Sequence, residues 1–427
     1  MNKSKQLVTK AILLSLMTST ALYATNGDTL ISVGAKARGM GGTGIAMSHG
    51  AESTLTNPAL ITTVENTEIS FGGTVFMPTI TATMGMAPAY ESSNNLSVIP
   101  SVSIATRIDE NWYIGIGMWG TAGMGVDYRD AMIVPMRDSG NMHMVTNLQL
   151  MQFGIPIAYR NSGFSIAVTP ILQYGALDIN YNDFAGNSVG AGVGQDLVFG
   201  YSLGASYDFA EVGAEGLTIG IVYKSKIDME YGDQLSVATQ PFADFGIFPG
   251  AMPDHLEQPA EIGIGFAYTM EGHSIAMDYK KIQWSKAQGY QNFGWEDQDV
   301  FSVGYQYAQD NWVVRLGYNH ASSPLTEAQS GPQVVTPGNY SMAGGNAVNL
   351  FNLLGFPATA ESHYTIGGTY EISDQVAIDL AYVYAPTTTT TMNTIVGLNP
   401  MTGDMYTGPS SVEHKESSIT VQLSYKF

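Results

Sequence analysis

From about Thr67 to the C-terminus, apolar positions recur at every second residue, and each such run is closed by a turn or a loop. In LTIGIVYKSK (Leu217–Lys226), Leu217, Ile219, Ile221 and Tyr223 share one face, and Thr218, Gly220, Val222 and Lys224 share the other. In EIGIGFAY (Glu261–Tyr268), Ile262, Ile264, Phe266 and Tyr268 stand opposite Glu261, Gly263, Gly265 and Ala267. The apolar set is Trp312, Val314, Leu316 and Tyr318 in one later run, and Val376, Ile378, Leu380, Tyr382 and Tyr384 in another. A period of two predicts strands that separate two unlike surroundings. Fourteen such strands can be counted, joined alternately by six short turns and seven long loops. The short turns fall near Asp109–Asn111, Asn161–Gly163, Glu211–Glu215, Glu271–Gly272, Asp310–Asn311 and Ser373–Asp374. The long loops fall at about 78–95, 121–143, 177–195, 231–257, 285–298, 320–361 and 386–412.

An even strand count, with short turns at one end and long loops at the other, is how outer-membrane barrels are built. Strands of roughly ten residues suffice to cross a bilayer at a tilt, and closure leaves no sheet edge in lipid. Composition agrees. Charged residues are only 13%, against about 25% in an ordinary soluble domain, yet no long apolar run accompanies this. A large soluble sandwich or propeller is the competing all-β reading. Against it stand the aromatics expected near the short-turn ends, including Trp112, Tyr113, Phe164, Tyr223, Tyr268, Trp312, Tyr370 and Tyr425, where an interfacial girdle belongs. The last residues, ITVQLSYKF, alternate up to Phe427 and look like the terminal signal read by the barrel-assembly machinery.

Residues 1–24 read as a secretory signal: Lys3, Lys5 and Lys10, an apolar run Ala11–Met17, and a small residue at Ala24. The formal net charge of −20, with no basic cluster, excludes a nucleic-acid partner. The absence of cysteine removes thiolate chemistry. The His residues are scattered, DINYND (Asp178–Asp183) lacks the glycine of a calcium loop, and no metal or cofactor is expected. Gly200–Gly204 matches G-x-S-x-G around Ser202, but it lies mid-strand rather than on a strand-to-helix elbow. No enzymatic activity is expected. Inward charges such as Lys224, Asp278, Arg315 and Asp379 are expected to form ion pairs in the lumen.

Residues 25–66 fit neither strand nor helix. They hold RGMGGTGIA, in which Gly39, Gly41 and Gly44 spell G-x-G-x-x-G, followed by Asn57-Pro58-Ala59. A dinucleotide loop needs a strand before it and a helix after it, and neither is predicted. A glycine-rich mature N-terminus, then Asn-Pro-Ala, then fourteen strands resembles the FadL-type long-chain fatty-acid transporters of the bacterial outer membrane, which include aromatic-hydrocarbon channels. The resemblance implies a barrel over residues 67–427 with a hatch, residues 25–66, in its lumen. It implies passive uptake of fatty acids or other lipophilic compounds such as hydrocarbons, by a monomer surrounded by outer-membrane lipid and lipopolysaccharide. It also implies an outer apolar groove, an inner pocket, and a lateral opening at a kinked third strand.

Candidate residues follow. Gly34, Arg38, Gly39, Gly41, Gly42, Gly44, Asn57, Pro58 and Ala59 would form the gating part of the hatch, the glycines allowing close packing. Replacing Gly41 or Gly42 with valine would then obstruct uptake while leaving assembly intact. Gly120, Gly123 and Gly125 break the alternation of the third strand and would mark the kink. Two loops are unusually apolar. One presents Phe242, Phe245, Ile247, Phe248 and Met252; the other presents Leu350, Phe351 and Leu354. Exposed clusters of this kind mark a binding surface; mutual packing over the barrel is the plainer reading. Met84, Met86, Met124, Met132, Met136, Met142 and Met144 would add adaptable surface. Fatty-acid members grip the carboxylate with bases on the inner wall. The fifth strand here offers Asp178 and Asp183 and no base, which leaves Arg38, Arg107, Lys224 and Arg315 as candidate bases and a neutral hydrocarbon as the alternative ligand. A water-filled porin is the alternative function.

Overall fold

The computed structural model describes residues 25–131, 142–329, 344–398 and 405–427. The segment read as a signal, with Met132 and Met136, lies outside the described residues. Fourteen antiparallel strands close into a barrel. They are β1 (Thr67–Met84), β2 (Ser97–Arg107), β3 (Trp112–Asp127), β4 (Val145–Gly154 continued by Ile157–Asn161), β5 (Phe164–Asn182), β6 (Gly194–Asp208) and β7 (Leu217–Lys224). The second half is β8 (Glu261–Met270), β9 (His273–Ile282), β10 (Gln298–Gln309), β11 (Trp312–Ala321), β12 (Ser362–Glu371), β13 (Val376–Leu398) and β14 (Met405–Lys426). The ring shuts where β14 pairs with β1, from Ser410↔Met84 to Lys426↔Glu68.

The alternation sets the wall's two faces. Ile262 (48% exposed) and Ile264 (50%) point outward, while Gly263 and Gly265 between them face in. Three strands run further than the alternation suggested. β1 continues through Pro78 to Met84, and β13 and β14 cover most of what reads as a loop from Pro386 to Val412. Beyond the membrane the outer face of a strand needs no apolar residues, so the pattern stops before the strand does. The threonine run Thr387–Thr391 keeps the β-branched character that favours strand. Two expected girdle aromatics are elsewhere. Tyr113 is buried inward against Ala51, Ile61 and Val64, and Tyr223 lies at the long-loop end of β7.

The N-terminal segment fills the interior. A short helix α1 (Ala35–Gly39) lies against β11, β12, β13 and β14. A 3-10 turn at Gly50–Leu55 lies against β1, β2 and β3, and another at Pro58–Thr63 lies against β2 to β6. Over the long-loop end sit helix α2 (Leu235–Asp244), and α3 (Gly345–Leu350) with a π turn at Phe351–Gly355.

Candidate functional site

The glycines of the N-terminal segment work in pairs with glycines of the wall. Gly41 has φ 69°, which glycine adopts readily and other residues rarely. A Cβ there would stand 2.7 Å from the backbone N and O of Tyr318 and 2.8 Å from Val303 O. Gly317 faces it, and a Cβ on Gly317 would collide with Gly41 N. Gly42 (φ 85°) would meet Ile31 O at 2.6 Å, and Gly39 the Cα of Gly367 at 3.0 Å. Backbone therefore lies on backbone across this contact. Gly41 N donates to Thr365 Oγ1 at 2.9 Å, and Gly44 N and Ile45 N donate to Asp278 Oδ2 at 2.7 and 3.0 Å. Asp278 thus serves as an anchor for main-chain amides rather than as an ion-pair partner.

Charge is gathered on the other side of α1. Lys36 Nζ lies 3.9, 3.4 and 3.8 Å from carboxylate oxygens of Glu52, Glu68 and Asp379. Arg38 donates to Ser32 O at 3.0 Å and to Ser418 Oγ at 2.6 Å. Gly34 (φ 90°) brings the backbone so close to Glu52 that a side chain would collide with its carboxylate. Burial works against the Lys36 ammonium, but Asp379, Glu52 and Glu68 outweigh it and hold its pKa above the usual value. Burial pushes the Glu52 carboxyl up to about 8 despite Lys36. Burial pushes His49, whose Nε2 donates to Thr43 O at 2.7 Å, down to about 3.

A pH dependence follows for the docked segment. Glu52 keeps a proton when docked that it would release in water, so docking weakens as pH rises from the ordinary carboxyl value of 4.5 towards 8. Docked His49 is neutral, so below its ordinary 6.5 it acts in the opposite sense. Between pH 6.5 and 8 Glu52 acts alone. Amide-exchange protection of residues 35–60 should fall there, by at most about 1.4 kcal/mol per pH unit, and level off above 8. Glu52→Gln should flatten the slope.

Asn57 ties the segment to the opposite wall. Its Oδ1 caps the Pro58 turn by accepting from Ala59 N at 3.1 Å, and its Nδ2 donates to Ile45 O at 2.7 Å and Ala205 O at 3.3 Å. Pro58 supplies the fixed φ that suits a first helical position. Ala59 is fully buried.

The wall is irregular at β2 and β3. Their ladder ends at Ser101↔Trp119. Beyond it, β2 continues to Ser97 along β1 alone, while β3 continues to Asp127 along β4. Pro100, which has no N–H to donate, lies one residue past the last rung. On β3 the register slips between Gly120 and Ala122, and residues from Ala122 to Val126 are all buried, so the strand has turned into the lumen. Gly125 sits where a Cβ would strike Thr146 O of β4. The N-terminal segment supplies what β2 withdraws. Thr25–Asn26 and Thr29–Leu30 form a small hairpin; Thr29 bridges to Ala122, and Asp28 O accepts from Gly123 N at 2.9 Å. Leu30, Val33 and Leu55 pack there with Phe76, Ile99 and Trp119. Just outside, Val98 is 53% exposed on the lipid face.

The two apolar loops do not present an open surface. Phe242, Phe248, Met252, Leu350, Phe351 and Leu354 are almost wholly buried, in one cluster that also holds Tyr181, Trp284, Tyr290 and Trp295. Phe242 lies 5.6 Å from Phe248 and 5.4 Å from Phe351, ring centre to ring centre. Each loop alone reads as exposed because its partner is about a hundred residues away in sequence. Ile247 is half-buried, and Phe245 is 50% exposed. Of the methionines, Met84, Met124, Met142 and Met144 are buried, and Met86 is exposed.

Several site residues escaped the sequence pattern. Trp119 reads as an ordinary strand residue, and Asp28 and Thr29 fall in a segment that fits neither strand nor helix. Lys36 and Glu52 carried a usable signal, being charges in a glycine-rich stretch. Ser202 faces inward in mid-strand, opposite Lys224 and Thr169. Lys224 pairs with Glu261 at 3.3 Å as an inward ion pair, and Arg315 donates to Gln306 and Thr369.

Known proteins share this architecture. The family described as outer membrane protein transport protein (OMPP1/FadL/TodX) matches residues 14–337. The 47 kDa outer membrane protein of Pasteurella multocida (strain Pm70) is 25% identical over 377 residues, spanning 79% of this chain and 82% of that one. The toluene transporter TodX of P. putida superposes with a TM-score of 0.65 at 18% identity, covering 93% of this chain and 99% of its own. A Pseudomonas aeruginosa FadL homologue superposes with a TM-score of 0.66 at 13% identity, covering 94% and 100%. At these identities the structural likeness is one of fold.

Proposed function

We propose that this chain, which belongs to the OMPP1/FadL/TodX family of outer-membrane transport proteins, passes hydrophobic small molecules sideways into the bilayer between β2 and β3. The observation that carries this reading is the end of the β2–β3 ladder at Ser101↔Trp119, with a two-residue-per-strand hairpin of the N-terminal segment seated in the space. An opening there leads from a lumen lined by Leu30, Ile99 and Trp119 to the lipid-facing Val98. An oily molecule would leave without crossing water.

In this account residues 25–66 act as a hatch. Gly34, Arg38, Gly39, Gly41, Gly42, Gly44, Asn57, Pro58 and Ala59 hold it against the wall, and Gly120, Gly123 and Gly125 form the kink that receives it. The ligand, a fatty acid or a hydrocarbon, is taken up at the lip formed by Phe245 and Ile247. It is then held by Phe242, Phe248, Met252, Leu350, Phe351 and Leu354 once the two loops part. The driving energy is apolar burial. Each buried methylene contributes ~0.8 kcal/mol, so a decane chain gains on the order of 8 kcal/mol. Transport is passive, without a cofactor or catalytic step, and direction comes from removal of product inside.

The test is reconstitution. Proteoliposomes carrying the protein should take up decane several-fold faster than protein-free vesicles, and should not swell in sugar solutions. Sugar permeation without faster decane uptake is the porin outcome and would contradict the proposal.

A further inference from the structure

The hatch hairpin ends in a buried polar turn that gating leaves unexplained. Asp28 Oδ2 accepts hydrogen bonds from the Tyr290 hydroxyl and, at 2.9 Å, from Gln258 Nε2. Its Oδ1 is buried without a partner. So are both side-chain amide atoms of Asn26, two residues earlier on the same turn, and the hydroxyl of Tyr231, which feels the charge of Asp28. Burying polar groups without partners is destabilising, so a cluster of them needs a reason. Its surroundings are aromatic. Gly27 packs so closely on Trp284 that a Cβ would stand 2.5 Å from the ring, and Trp284 lies 4.7 Å from Tyr290. The same apolar cluster holds Phe242 and Phe351. The turn is thus the polar floor of the greasy loop core.

The charge of this floor decides what it can hold. The charged group acting on Asp28 is another carboxylate, Glu261. Among the described lumen bases, Lys36 is engaged with Glu52, Glu68 and Asp379, Arg38 with Ser32 and Ser418, Lys224 with Glu261, and Arg315 with Gln306 and Thr369, while Lys280, which lies with Lys224 and Glu261 near Thr29 and Leu30, acts on Glu261 rather than on Asp28. A ligand carboxylate would therefore be set against a second anion in a dry site. An alkane would leave the open groups unpaired. A hydroxyl satisfies them: its O–H donates to Asp28 Oδ1, and its lone pairs accept from Asn26 Nδ2 or the Tyr231 hydroxyl.

Resting on the transport reading above, we propose that Asp28, Asn26 and Tyr231 form a head-group subsite that takes a neutral hydroxyl on a hydrophobic tail, an alcohol or a phenol, in preference to a carboxylate. Burial pushes the Asp28 carboxyl up to about 6, so at pH 7.5 the subsite is an acceptor. Because Asp28 O also holds Gly123 N of β3, the residue that reads the head group also closes the lateral space.

The test is calorimetry on the full-length protein in detergent at pH 7.5, with 1-decanol, decane and decanoate. Ratios between variant and wild type cancel the partition of each probe into micelles. Wild type should bind decanol about tenfold more tightly than decanoate, a single charge–charge term. Asp28→Asn should narrow that gap to about threefold, chiefly by strengthening decanoate. Tyr231→Phe, which removes one hydroxyl, should weaken decanol about fivefold and leave decane unchanged. Decanoate binding better than decanol, or a gap unchanged in Asp28→Asn, would overturn the subsite alone. Failure of all three probes to bind would overturn the subsite and the transport reading together.

Discussion

Gly41→Val is expected to turn a sealed barrel into a leaking one. The substituted residue must hold φ 69°, and its Cβ would press on the backbone of Tyr318 and Val303 at 2.7 and 2.8 Å. Strand backbone cannot step aside as a flexible side chain could. Strain in φ costs about 1–3 kcal/mol, and overpacking adds about 1–3 kcal/mol. The hydrogen bonds that seat this part of the hatch, from Gly41, Gly44 and Ile45, contribute about 1 kcal/mol each. The strain therefore matches or exceeds what seats residues 41–45, and this stretch should lift from the wall although Lys36, Arg38 and Asn57 still tie the rest of the hatch to it. The wall's own ladders do not involve Gly41, so the barrel should still assemble and insert. Single-channel conductance in planar bilayers should rise at least about tenfold over wild type, a shift of about 1.4 kcal/mol being enough. Gly317→Val, from the wall side of the same contact, should do the same. A Gly41→Val barrel that stays closed to ions would show that the contact has slack. The sequence alone pointed to obstruction, because glycine content implies crowding without saying what is crowded. With the structure the opposite sign is expected, since the neighbour of a Cβ at Gly41 is strand backbone rather than a ligand's path.

The wall was readable because its two environments differ sharply. Wherever a strand borders lipid, as at Ile262–Tyr268 or Trp312–Tyr318, alternation is enforced and the strand announces itself. Where β13 rises through Thr387–Thr391 both faces tolerate polar residues, and the signal vanishes although the strand continues. The kink was legible in part. Gly120, Gly123 and Gly125 mark the place, but the other half of the break, Pro100 on β2, is a contact between strands that no single run reveals. The apolar loops were visible as apolar, and the choice between a binding surface and mutual packing was not, because Phe242 meets Phe351 only in three dimensions. Asp28 was invisible for a related reason: its partners Gln258 and Tyr290 come from two distant loops. The G-x-G-x-x-G spacing is literally present, and its context assigns it to backbone packing against Gly317 and Gly367 rather than to a phosphate.

A lateral route makes one further strong demand: the hairpin must leave β3 for cargo to pass. The chain has no cysteine, so an introduced pair stands alone. Thr29 and Ala122 are bridge partners on antiparallel segments. Such partners lie about 4.5–5.5 Å apart between Cα atoms, within the 4.4–6.8 Å that a disulfide spans. Thr29→Cys with Ala122→Cys should therefore crosslink without moving the backbone. The direct measurement is decane uptake by proteoliposomes of this double variant, oxidised and then reduced. The account predicts that oxidation lowers uptake to the protein-free rate and that reduction restores it, while either single variant is insensitive to both treatments. Full uptake through a completely crosslinked protein would contradict it.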